Sequence, residues 1–553
     1  MCERIIAIDN KKKLHYHDAI REFRIEDNIL IGKEIPINRE PINIAEVLLK
    51  TLKSKPNCIG QVDAFTGKQD TYADMSERSI KCALWLKKQG VKPGDIIGLC
   101  CDNDMDAITI MLGTMYLGAI SNPWDYELSP MTARYFLSLT SPKIVFATPS
   151  SVPSLEEATK ELKINIKIIV FEKLDGYKSV KDILRGHDTS EVTEFKCAKI
   201  SNPDDVALIV LSSGTTGMPK GTEISHSSLY NCLLPEKVTE LEGHTCMWSP
   251  TLRWHYGVQL AFQAILAYST KILSPSSVII NNDDETMCRF IEKYQVTWFS
   301  TEPGMLIRFC KSGILEKYKL STLKEVMSTG DHFKKEHHLA VAKKLPHAFV
   351  MNSYGSTDSA ADVTVMTRGC KPGSVGFVVP NVRIKVTDVE TGKTLGVNQN
   401  GELRLKLPTV MNGYYKRPEE TKRAFDSDGW LLTGDIGYYD DDGNVFLIDR
   451  ISEFIIFNGI NISTAEIEHA LRTHPAVSQV AVIGIPHETD GQHPMAVVSL
   501  SNETITEEEL HELVANNLPE YCKLRGGIKF LDKLPRTATG KIAKKQLREM
   551  FAN

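Results

Sequence analysis

The chain of 553 residues is too long for one ordinary hydrophobic core, so its length predicts two or more domains. Hydrophobic residues make up 42% of it and charged residues 24%, and 65 Lys and Arg against 70 Asp and Glu give a net charge of −5. Because no long block carries one sign, this balance argues against a dedicated nucleic-acid surface, although local cations can still hold a small anionic ligand.

Cysteine usage indicates a reducing compartment, and the lack of long apolar segments argues against a membrane span. The 12 cysteines show neither a C-x-x-C pair nor metal-ligand spacing, and the adjacent Cys100 and Cys101 are interpreted as reduced thiols. No signal sequence begins the chain, no apolar stretch reaches the ~18 residues of a membrane span, and no Ser-Lys-Leu-type tripeptide ends it. We therefore expect a cytoplasmic protein without an integral membrane segment, with the peroxisome as the alternative location.

In chain order, the sequence predicts a polar extension over residues 1–40 and a large α/β domain over residues 41–449. Helical periods alternate in that domain with short β-rich runs, which is the pattern of layered α/β structure with a largely parallel sheet. The runs read DIIGLCC, KIVFAT, IKIIVFE, VALIVLS, VTWFST and HAFVMNSYG. From about residue 373 the pattern changes to β-hairpins with Thr-Gly and Asp-Gly turns, which predicts a β-rich subdomain.

The end of the chain predicts a small α+β domain over residues 454–553, joined to the large domain by a short hinge at residues 450–453. A helix is expected at TAEIEHALRTH, strands at QVAVIGI and MAVVSL, and a basic helix near the terminus.

The loop SSGTTGMPKG follows the predicted strand VALIVL and is rich in glycine and hydroxyl side chains. It does not meet the Walker A pattern, G-x-x-x-x-G-K-[ST], because no Ser or Thr follows Lys220, and a P-loop NTPase is therefore disfavoured. Backbone N–H groups, hydroxyls and one ammonium can still wrap a polyphosphate, and the alternative is a tight turn. The candidate phosphate-binding residues are Ser212, Ser213, Gly214, Thr215, Thr216, Gly217 and Lys220.

Further motifs follow at a distance. In NSYGSTD, Tyr354 could stack on a base and Asp358 could ligate a hard cation, although a turn with a capping Asp fits equally well. Asp435 in LLTGDIG suits a ribose diol, Arg450 lies at the domain joint, and Lys541 lies on a Thr-Gly turn before the last helix. Each could be a solvated surface residue by itself, but their order and spacing indicate that they belong together.

Taken together, the motifs resemble the adenylate-forming superfamily, which includes acyl-CoA synthetases, 4-coumarate–CoA ligases, peptide-synthetase adenylation domains and beetle luciferases. The likeness covers residues 42–547 and rests on SSGTTGMPKG, NSYGSTD, TGDIG, DRISEFI, STAEIE and TGKIAKKQLR. The stretches TGKTLGVNQNGEL and CKLRGGIKFLDKLPRTATGK are especially similar to insect luciferase-like acyl-CoA synthetases.

The resemblance implies an AMP-forming acid–thiol ligase that uses ATP, Mg²⁺ and coenzyme A. A fatty or aryl carboxylate would attack the α-phosphate of ATP to give acyl-AMP and pyrophosphate. After rotation of a mobile C-terminal domain, the thiol of coenzyme A would displace AMP. An ammonium near the α-phosphoryl oxygens stabilises the charge that grows there, and the resemblance assigns this role to Lys541.

The same resemblance assigns the remaining site residues. Asp358 would bind magnesium where Glu is commoner, and Ser452 would be the hinge where Asp or Lys is usual. Besides the phosphate loop, the nucleotide would contact Tyr354, Gly355, Thr357, Asp435 and Arg450. The acyl pocket would contain His255, Tyr256, Thr329, Gly330 and Ser356. The first two of these would form a catalytic gate, and the alternative is that they only pack a helix start.

Three departures bear on a luciferase-type activity. Thr329 stands where beetle luciferases usually have glycine, Cys232 where they tend to carry arginine, and Ile456 where they have a lysine linked to the oxidative step. We therefore expect a ligase, with a luciferase-type monooxygenase acting on an adenylated luciferin as the alternative. An adenylation module is disfavoured because no carrier domain follows in the sequence. An inactive binding protein is disfavoured because the phosphate-handling residues are present.

Overall fold

The computed structural model describes residues 21–212, 219–233, 241–330, 333–389, 391–450, 454–501, 505–535, 542 and 544–551. Three β-sheets organise this part of the chain, two of them in the large N-terminal region and one in the C-terminal region. The predicted α/β class, with a large N-terminal domain and a small C-terminal domain, is confirmed.

The largest sheet has sixteen strands and combines a parallel half with an antiparallel half. The strand Phe349–Ser356 joins the two halves, because it runs parallel to Glu325–Ser328 on one side and antiparallel to Ala361–Val365 on the other. In spatial order the strands are Phe23–Glu26, Ile29–Gly32, Arg383–Thr387 (with Thr394–Leu395 beside it), Gly401–Lys406, Leu431–Tyr439, Asn444–Arg450, Gly376–Val378, Ala361–Val365, Phe349–Ser356, Glu325–Ser328, Trp298–Thr301, Thr245–Trp248, Thr270–Leu273, Ile59–Asp63 and Gln69–Thr71.

The second sheet has eight strands and a mainly parallel centre. All five residues of Ile96–Cys100 are buried, as expected for a parallel strand covered on both faces. The buried helix Met105–Tyr116 follows this strand and leads to its neighbour Ile120–Trp124. In spatial order the strands are Gly413–Tyr414, Lys220–Ser225, Val206–Ser212, Ile120–Trp124, Ile96–Cys100, Ile144–Ala147, Lys167–Val170 and Lys178–Ser179.

The C-terminal domain has its own five-stranded sheet and its own apolar core. Its two longest strands form an antiparallel hairpin in which Val480 pairs with Val498. In spatial order the strands are Ile460–Ser463, Phe454–Phe457, Gly491–Leu500 and Val477–His487, with Gly527–Phe530 parallel to Gly491–Leu500.

Helix starts coincide with capping residues in both domains. Thr71 caps Tyr72–Lys88 and forms a capping box with Asp74, and Thr506 and Glu509 do the same at Glu507–Asn517. The other α-helices are Ile44–Ser54, Met105–Tyr116, Pro130–Thr140, Val152–Leu162, Val180–Ile183, Thr189–Thr193, His226–Cys232, His255–Leu266, Ser276–Ile280, Asp284–Lys293, Pro303–Lys311, Ile314–Lys317, Lys335–Lys344, Pro418–Arg423, Thr464–Arg472 and Lys544–Phe551, and short 3₁₀ helices span Pro149–Ser151 and Glu520–Cys522.

The predicted polar extension, residues 1–40, needs a correction for its described part. Phe23–Glu26 and Ile29–Gly32 form a hairpin that pairs with Arg383–Thr387 at one end of the largest sheet. Leu30 is fully buried there, because a strand from a distant part of the chain completes its surroundings. The segment therefore contributes to the sheet.

Two further expectations concern thiols and membranes. Cys100 and Cys101 are buried free thiols, as the sequence predicts. Burial raises the pKa of the Cys100 thiol to about 12, so it stays protonated at neutral pH.

Among the helices that the structure describes, none combines the length and the apolar character needed to cross a bilayer.

Candidate active site

A cavity of about 760 Å³ lies between the N-terminal region and the C-terminal domain. Its N-terminal wall is built where parallel strands of the largest sheet end, at Ser249, Glu302, Thr329 and Ser356. The carboxyl ends of parallel strands are the usual location of ligand sites in open α/β sheets. The C-terminal domain supplies the opposite wall through residues 458–460 and 486–492.

A buried tyrosine–aspartate pair lines the N-terminal wall. Tyr354 lies in the strand that joins the two halves of the sheet, and its hydroxyl donates a hydrogen bond to Asp435 Oδ2 at 2.6 Å. Both side chains are buried and both line the cavity. Asp435 lies opposite Arg450 in the antiparallel register, so the backbones of these two predicted ribose residues are neighbours across two adjacent strands. The Arg450 side chain lies outside the described part.

The predicted acyl-pocket residues line the same cavity. His255 and Tyr256 begin the helix His255–Leu266, and His255 is buried. Thr329 follows the strand Glu325–Ser328, and its hydroxyl accepts a hydrogen bond from Ser353 Oγ at 3.4 Å. The structure thus gathers two predicted groups around one cavity, namely Tyr354, Gly355, Thr357 and Asp435 with His255, Tyr256, Thr329, Gly330 and Ser356.

The strand ends on either side of the phosphate loop form a polar cluster with distant residues. Ser212 Oγ lies 3.0 Å from Thr222 Oγ1, and Thr222 Oγ1 in turn donates to Asp358 Oδ1 at 3.4 Å. The Tyr414 hydroxyl donates to Asp358 Oδ2 at 2.5 Å. Burial, together with the Asp358 carboxylate, raises the pKa of Tyr414 far above its usual value, so the hydroxyl keeps its proton. These contacts hold Asp358 beside the end of the loop.

Lys220 belongs to the same cluster and is paired with a carboxylate. Its Nζ lies 2.9 Å from Glu420 Oε2 and 4.5 Å from the centre of the Tyr414 ring. Although burial opposes it, Lys220 and Arg417 hold the pKa of Glu420 below its usual value. In this arrangement Lys220 is directed towards Glu420, so contact with a phosphate would require exchange of that ion pair.

Asp358 fits the requirement for a magnesium ligand in chemistry and position. It is a carboxylate, the ligand type that Mg²⁺ prefers, and it lies beside the two strands that flank the phosphate loop. Thr357, the residue before it, lines the cavity. A cation held by Asp358 would therefore lie beside the strands on either side of the phosphate loop.

The C-terminal domain closes the cavity with a tight turn. Asn458 and Gly459 connect the strands Phe454–Phe457 and Ile460–Ser463, and both have positive φ, at 47° and 74°. A Cβ atom at Gly459 would lie only 2.5 Å from the Cβ of Glu302, so the turn packs directly on the N-terminal wall. Arg308 Nη1 donates to Asn458 Oδ1 at 3.4 Å across the same contact.

A second contact between the domains involves three polar side chains. Arg253 Nη1 lies 2.5 Å from Asp125 Oδ1, and the hydroxyl of Tyr521 donates to Asp125 Oδ2 at 2.8 Å. Arg253 Nη1 also donates to the Tyr521 oxygen at 3.2 Å. We call this group the interdomain clasp, because Tyr521 belongs to the C-terminal domain and the other two residues to the N-terminal region.

Several predicted residues lie outside the described part of the chain. They are Ser213, Gly214, Thr215, Thr216, Gly217, the hinge residue Ser452 and Lys541. Their assignments therefore remain predictions from the sequence.

Sequence reasoning missed the partners of the predicted residues. Tyr414, Thr222 and Glu420 contact Asp358 and Lys220, and Asp125 and Tyr521 join the domains. None of these residues belongs to a sequence motif whose spacing indicates a binding or catalytic role. The Tyr-Tyr-Lys-Arg run at residues 414–417, just before a Pro-Glu-Glu helix start, is the one signal that could have pointed to Tyr414.

Comparison with known proteins defines the class to which the chain belongs. The family described as AMP-binding enzyme matches residues 50–415, which is more than half of the chain. The family described as AMP-binding enzyme C-terminal domain matches residues 466–541. The chain therefore belongs to the AMP-binding, or adenylate-forming, enzymes, and the predicted resemblance is confirmed.

Particular relatives include both luciferases and ligases. The chain is 32% identical to luciferin 4-monooxygenase of Photuris pensylvanica over 505 residues, covering 89% of this chain and 92% of the relative. It is 31% identical to 4-coumarate–CoA ligase 2 of Nicotiana tabacum over 497 residues, covering 87% and 89%. Among solved structures, a luciferase-like enzyme from the nonluminescent mealworm Zophobas morio matches with a TM-score of 0.69 and 29% identity, covering 77% of this chain and all of that one.

Proposed function

We propose that the protein is an ATP-dependent carboxylic acid–CoA ligase acting on a fatty or aryl acid. One observation carries the proposal: a single cavity is lined on one side by the Tyr354–Asp435 pair and on the other by the C-terminal turn at Asn458 and Gly459. A cavity shared by two domains suits a reaction in which a nucleotide, an acid and a thiol must meet. Membership of the adenylate-forming enzymes supports the use of ATP and of a small-molecule acid.

In the first step, a carboxylate oxygen of the acid bonds to the α-phosphorus of ATP, and the bond to the pyrophosphate oxygen breaks. Tyr354 would lie along the adenine, and Asp435 and Arg450 would hold the ribose. The phosphate loop, from Ser212 to Lys220, would cover the β- and γ-phosphates. Asp358 would hold a magnesium ion, which would supply positive charge to these phosphates, and Lys541 would stabilise the charge that develops at the α-phosphate.

In the second step, the thiol of coenzyme A loses its proton to solvent, its sulfur bonds to the acyl carbon, and AMP leaves with the electrons of the broken C–O bond. His255 and Tyr256 line the part of the cavity next to Thr329 and Gly330, where we place the acyl group. We assign the present arrangement of the two domains, with the turn at Gly459 against the cavity wall, to this second step. Rotation about Ser452 would exchange it for the arrangement of the first step, in which Lys541 would contact the nucleotide.

A luciferase-type monooxygenase is the second candidate, because the Photuris relative is a luciferin 4-monooxygenase that covers most of this chain. Two side chains on the cavity wall count against it. Thr329 and Ile456 line the cavity at the positions where the resemblance predicts glycine and lysine in beetle luciferases. The extra bulk of Thr329 and the missing ammonium at Ile456 would both hinder light emission.

The test is a pyrophosphate-release screen with ATP, Mg²⁺ and a panel of fatty and aryl acids, with and without coenzyme A. We expect release of pyrophosphate with a subset of acids, formation of the matching acyl-CoA, and no photons when a luciferin and oxygen are supplied.

Lys541→Ala should slow acyl-AMP formation at least a hundredfold and leave the turnover of supplied acyl-AMP with coenzyme A nearly intact.

The matched control is Lys533→Ala, which removes an exposed lysine of the same domain and should retain both half-reactions. If no acid of the panel releases pyrophosphate, the ligase proposal fails. Equal loss of both half-reactions in Lys541→Ala would contradict the role given to Lys541.

A further inference from the structure

Two histidines and an aspartate meet at the turn between the longest strands of the C-terminal sheet, Val477–His487 and Gly491–Leu500. We call His487, Asp490 and His493 the hairpin-turn triad. Their ligand atoms all lie within 4.8 Å of one another. Within the described ranges, no other group of three or more His, Cys, Asp or Glu side chains brings its ligand atoms together so closely.

The distances in the triad can be compared with those between the ligand atoms of a small metal ion. Asp490 Oδ2 lies 2.8 Å from His493 Nε2 and 3.3 Å from His487 Nδ1. A tetrahedral zinc ion with bonds of about 2.0–2.1 Å holds its ligand atoms about 3.4 Å apart. The two imidazole rings are stacked, with centroids 4.0 Å apart and planes at 18°. Because the nitrogen lone pairs lie in the ring planes, at least one ring would have to rotate out of this stack for both nitrogens to point at one ion.

The contacts within the triad show which atoms face one another. The backbone N–H of Asp490 donates to His487 Nδ1 at 3.3 Å, and the same nitrogen lies 3.3 Å from Asp490 Oδ2. The Thr489 hydroxyl donates to the other carboxylate oxygen, Asp490 Oδ1, at 2.9 Å. Asp490 Oδ2 is therefore the oxygen that faces both imidazole rings, and an ion bound there would replace its present contacts with them.

The turn that carries the triad is held in shape by its neighbours. The backbone N–H of Asn458 donates to the carbonyl of Asp490 at 2.9 Å, and His487 pairs with Gly491 in the strand register. The Phe457 ring lies 5.8 Å from the His493 ring. His487 is 43% exposed at its side chain, so water can reach the site and complete the coordination of an ion.

We propose that the hairpin-turn triad is a binding site for a divalent transition metal ion of the zinc class. His487 Nδ1, Asp490 Oδ2 and His493 Nε2 would be the protein ligands, and water would fill the remaining positions. Imidazole nitrogen favours zinc, copper or nickel over magnesium, which separates this site from the magnesium proposed at Asp358. The inference does not depend on the proposed ligase activity.

The position of the turn gives the site a structural consequence. Glu488 pairs with Lys311 of the N-terminal region at 2.5 Å. A Cβ atom on Gly304 would lie 2.3 Å from the carbonyl oxygen of Thr489, so the turn rests directly on the helix Pro303–Lys311. An ion that fixes the turn in this shape would stabilise the docked arrangement of the two domains.

The test uses the full-length protein without an affinity tag, stripped of metal by a chelator and titrated with Co²⁺. We expect one equivalent to bind with visible d–d absorption and without a near-ultraviolet thiolate band, and Zn²⁺ to displace it. His487→Gln and His493→Gln should each weaken Co²⁺ binding at least tenfold. His469→Gln, which changes an exposed histidine of the same domain, should bind Co²⁺ like the unaltered protein.

Zn²⁺ should also raise the Tm of the unaltered protein and of His469→Gln, but not of the His487→Gln/His493→Gln double variant. X-ray absorption of the zinc-loaded unaltered protein tests the ligands without any variant and should show imidazole scattering. The proposal is overturned if no stoichiometric ion binds, if the double variant binds Co²⁺ as tightly as the unaltered protein, or if sulfur ligands are found.

Discussion

Lys271 places an amino group inside the parallel half of the largest sheet. It lies in the strand Thr270–Leu273, is only 8% exposed, and has its Nζ 4.5 Å from the centre of the Trp248 ring. Burial lowers the pKa of Lys271 to about 7, with Cys101 and Asp102 opposing the shift. At this residue the fold therefore favours the neutral amine.

The sign of the pH dependence follows from this lowered pKa. Between pH 7 and the usual lysine range, the unfolded chain binds a proton that the folded protein does not, so Lys271 adds stability as the pH rises. Below pH 7 Lys271 is protonated in both states, so the folded protein bears the full free-energy cost of burying its charged form. We expect Lys271→Met to raise Tm at pH 6 and to have a much smaller effect at pH 9.5, as measured by scanning calorimetry.

Lys385 is the matched control for Lys271. It is similarly buried, at 9% exposed, but its Nζ lies 2.9 Å from Asp426 Oδ2. Lys385→Met would leave that carboxylate with Arg404 Nη1, 3.2 Å away, as its remaining ion-pair partner, and should lower Tm at both pH values. A Lys271→Met variant that loses as much stability at pH 6 as Lys385→Met would show that the Lys271 charge is compensated in the fold.

At the scale of elements, the turn at Asn458 and Gly459 decides how the C-terminal sheet meets the cavity. Because a Cβ at position 459 would clash with the backbone-proximal part of Glu302, Gly459→Ala should push the turn away from the N-terminal wall. On the proposed function, we expect acyl-AMP formation to stay within about threefold and the coenzyme A-dependent step to fall at least tenfold. Single-turnover measurements of each half-reaction check this.

Gly527→Ala is the control that distinguishes the steric clash with Glu302 from the backbone strain of an alanine at positive φ. Gly527 also has positive φ, at 86°, and belongs to the same domain, but nothing lies within 4 Å of the position of its Cβ. Its substitution should lower stability slightly and leave the ratio of the two half-reactions unchanged. If both variants slow the second step equally, strain rather than the contact with Glu302 is responsible.

At the scale of the whole molecule, the interdomain clasp ties the two parts of the chain together. Tyr521→Phe removes the hydroxyl that bonds Asp125 and leaves the ring in place. A hydrogen bond to a charged group contributes about 1.5–3 kcal/mol. We therefore expect the reaction of supplied acyl-AMP with coenzyme A to slow about tenfold, with acyl-AMP formation unchanged or faster.

Tyr318→Phe is the control for the loss of a tyrosine hydroxyl. The Tyr318 hydroxyl donates to Glu285 at 2.8 Å within the N-terminal region, so it does not connect the domains. This variant should retain both half-reactions. Unchanged kinetics in Tyr521→Phe would mean that the clasp does not govern the second step.

Elements with a strong local pattern could be predicted from the sequence. The apolar runs DIIGLCC, VALIVLS and VTWFST form the strands Ile96–Cys100, Val206–Ser212 and Trp298–Thr301. Their lengths, composition and flanking turns are properties of neighbouring residues, so no knowledge of the rest of the chain was needed. The hairpin at residues 23–32 escaped prediction because the strand that completes its surroundings, Arg383–Thr387, lies far along the chain.

The sequence by itself determined the layered α/β class, the separate C-terminal domain and the ordered motifs that place the chain among adenylate-forming enzymes. Only the tertiary structure decided which residues surround those motifs. Tyr414 contacts Asp358 across 56 residues, and Tyr521 contacts Asp125 across 396. The reason is physical: local periodicity records which side of a strand or helix is buried, whereas contacts of this span depend on the order of strands in a sheet and on how two domains dock.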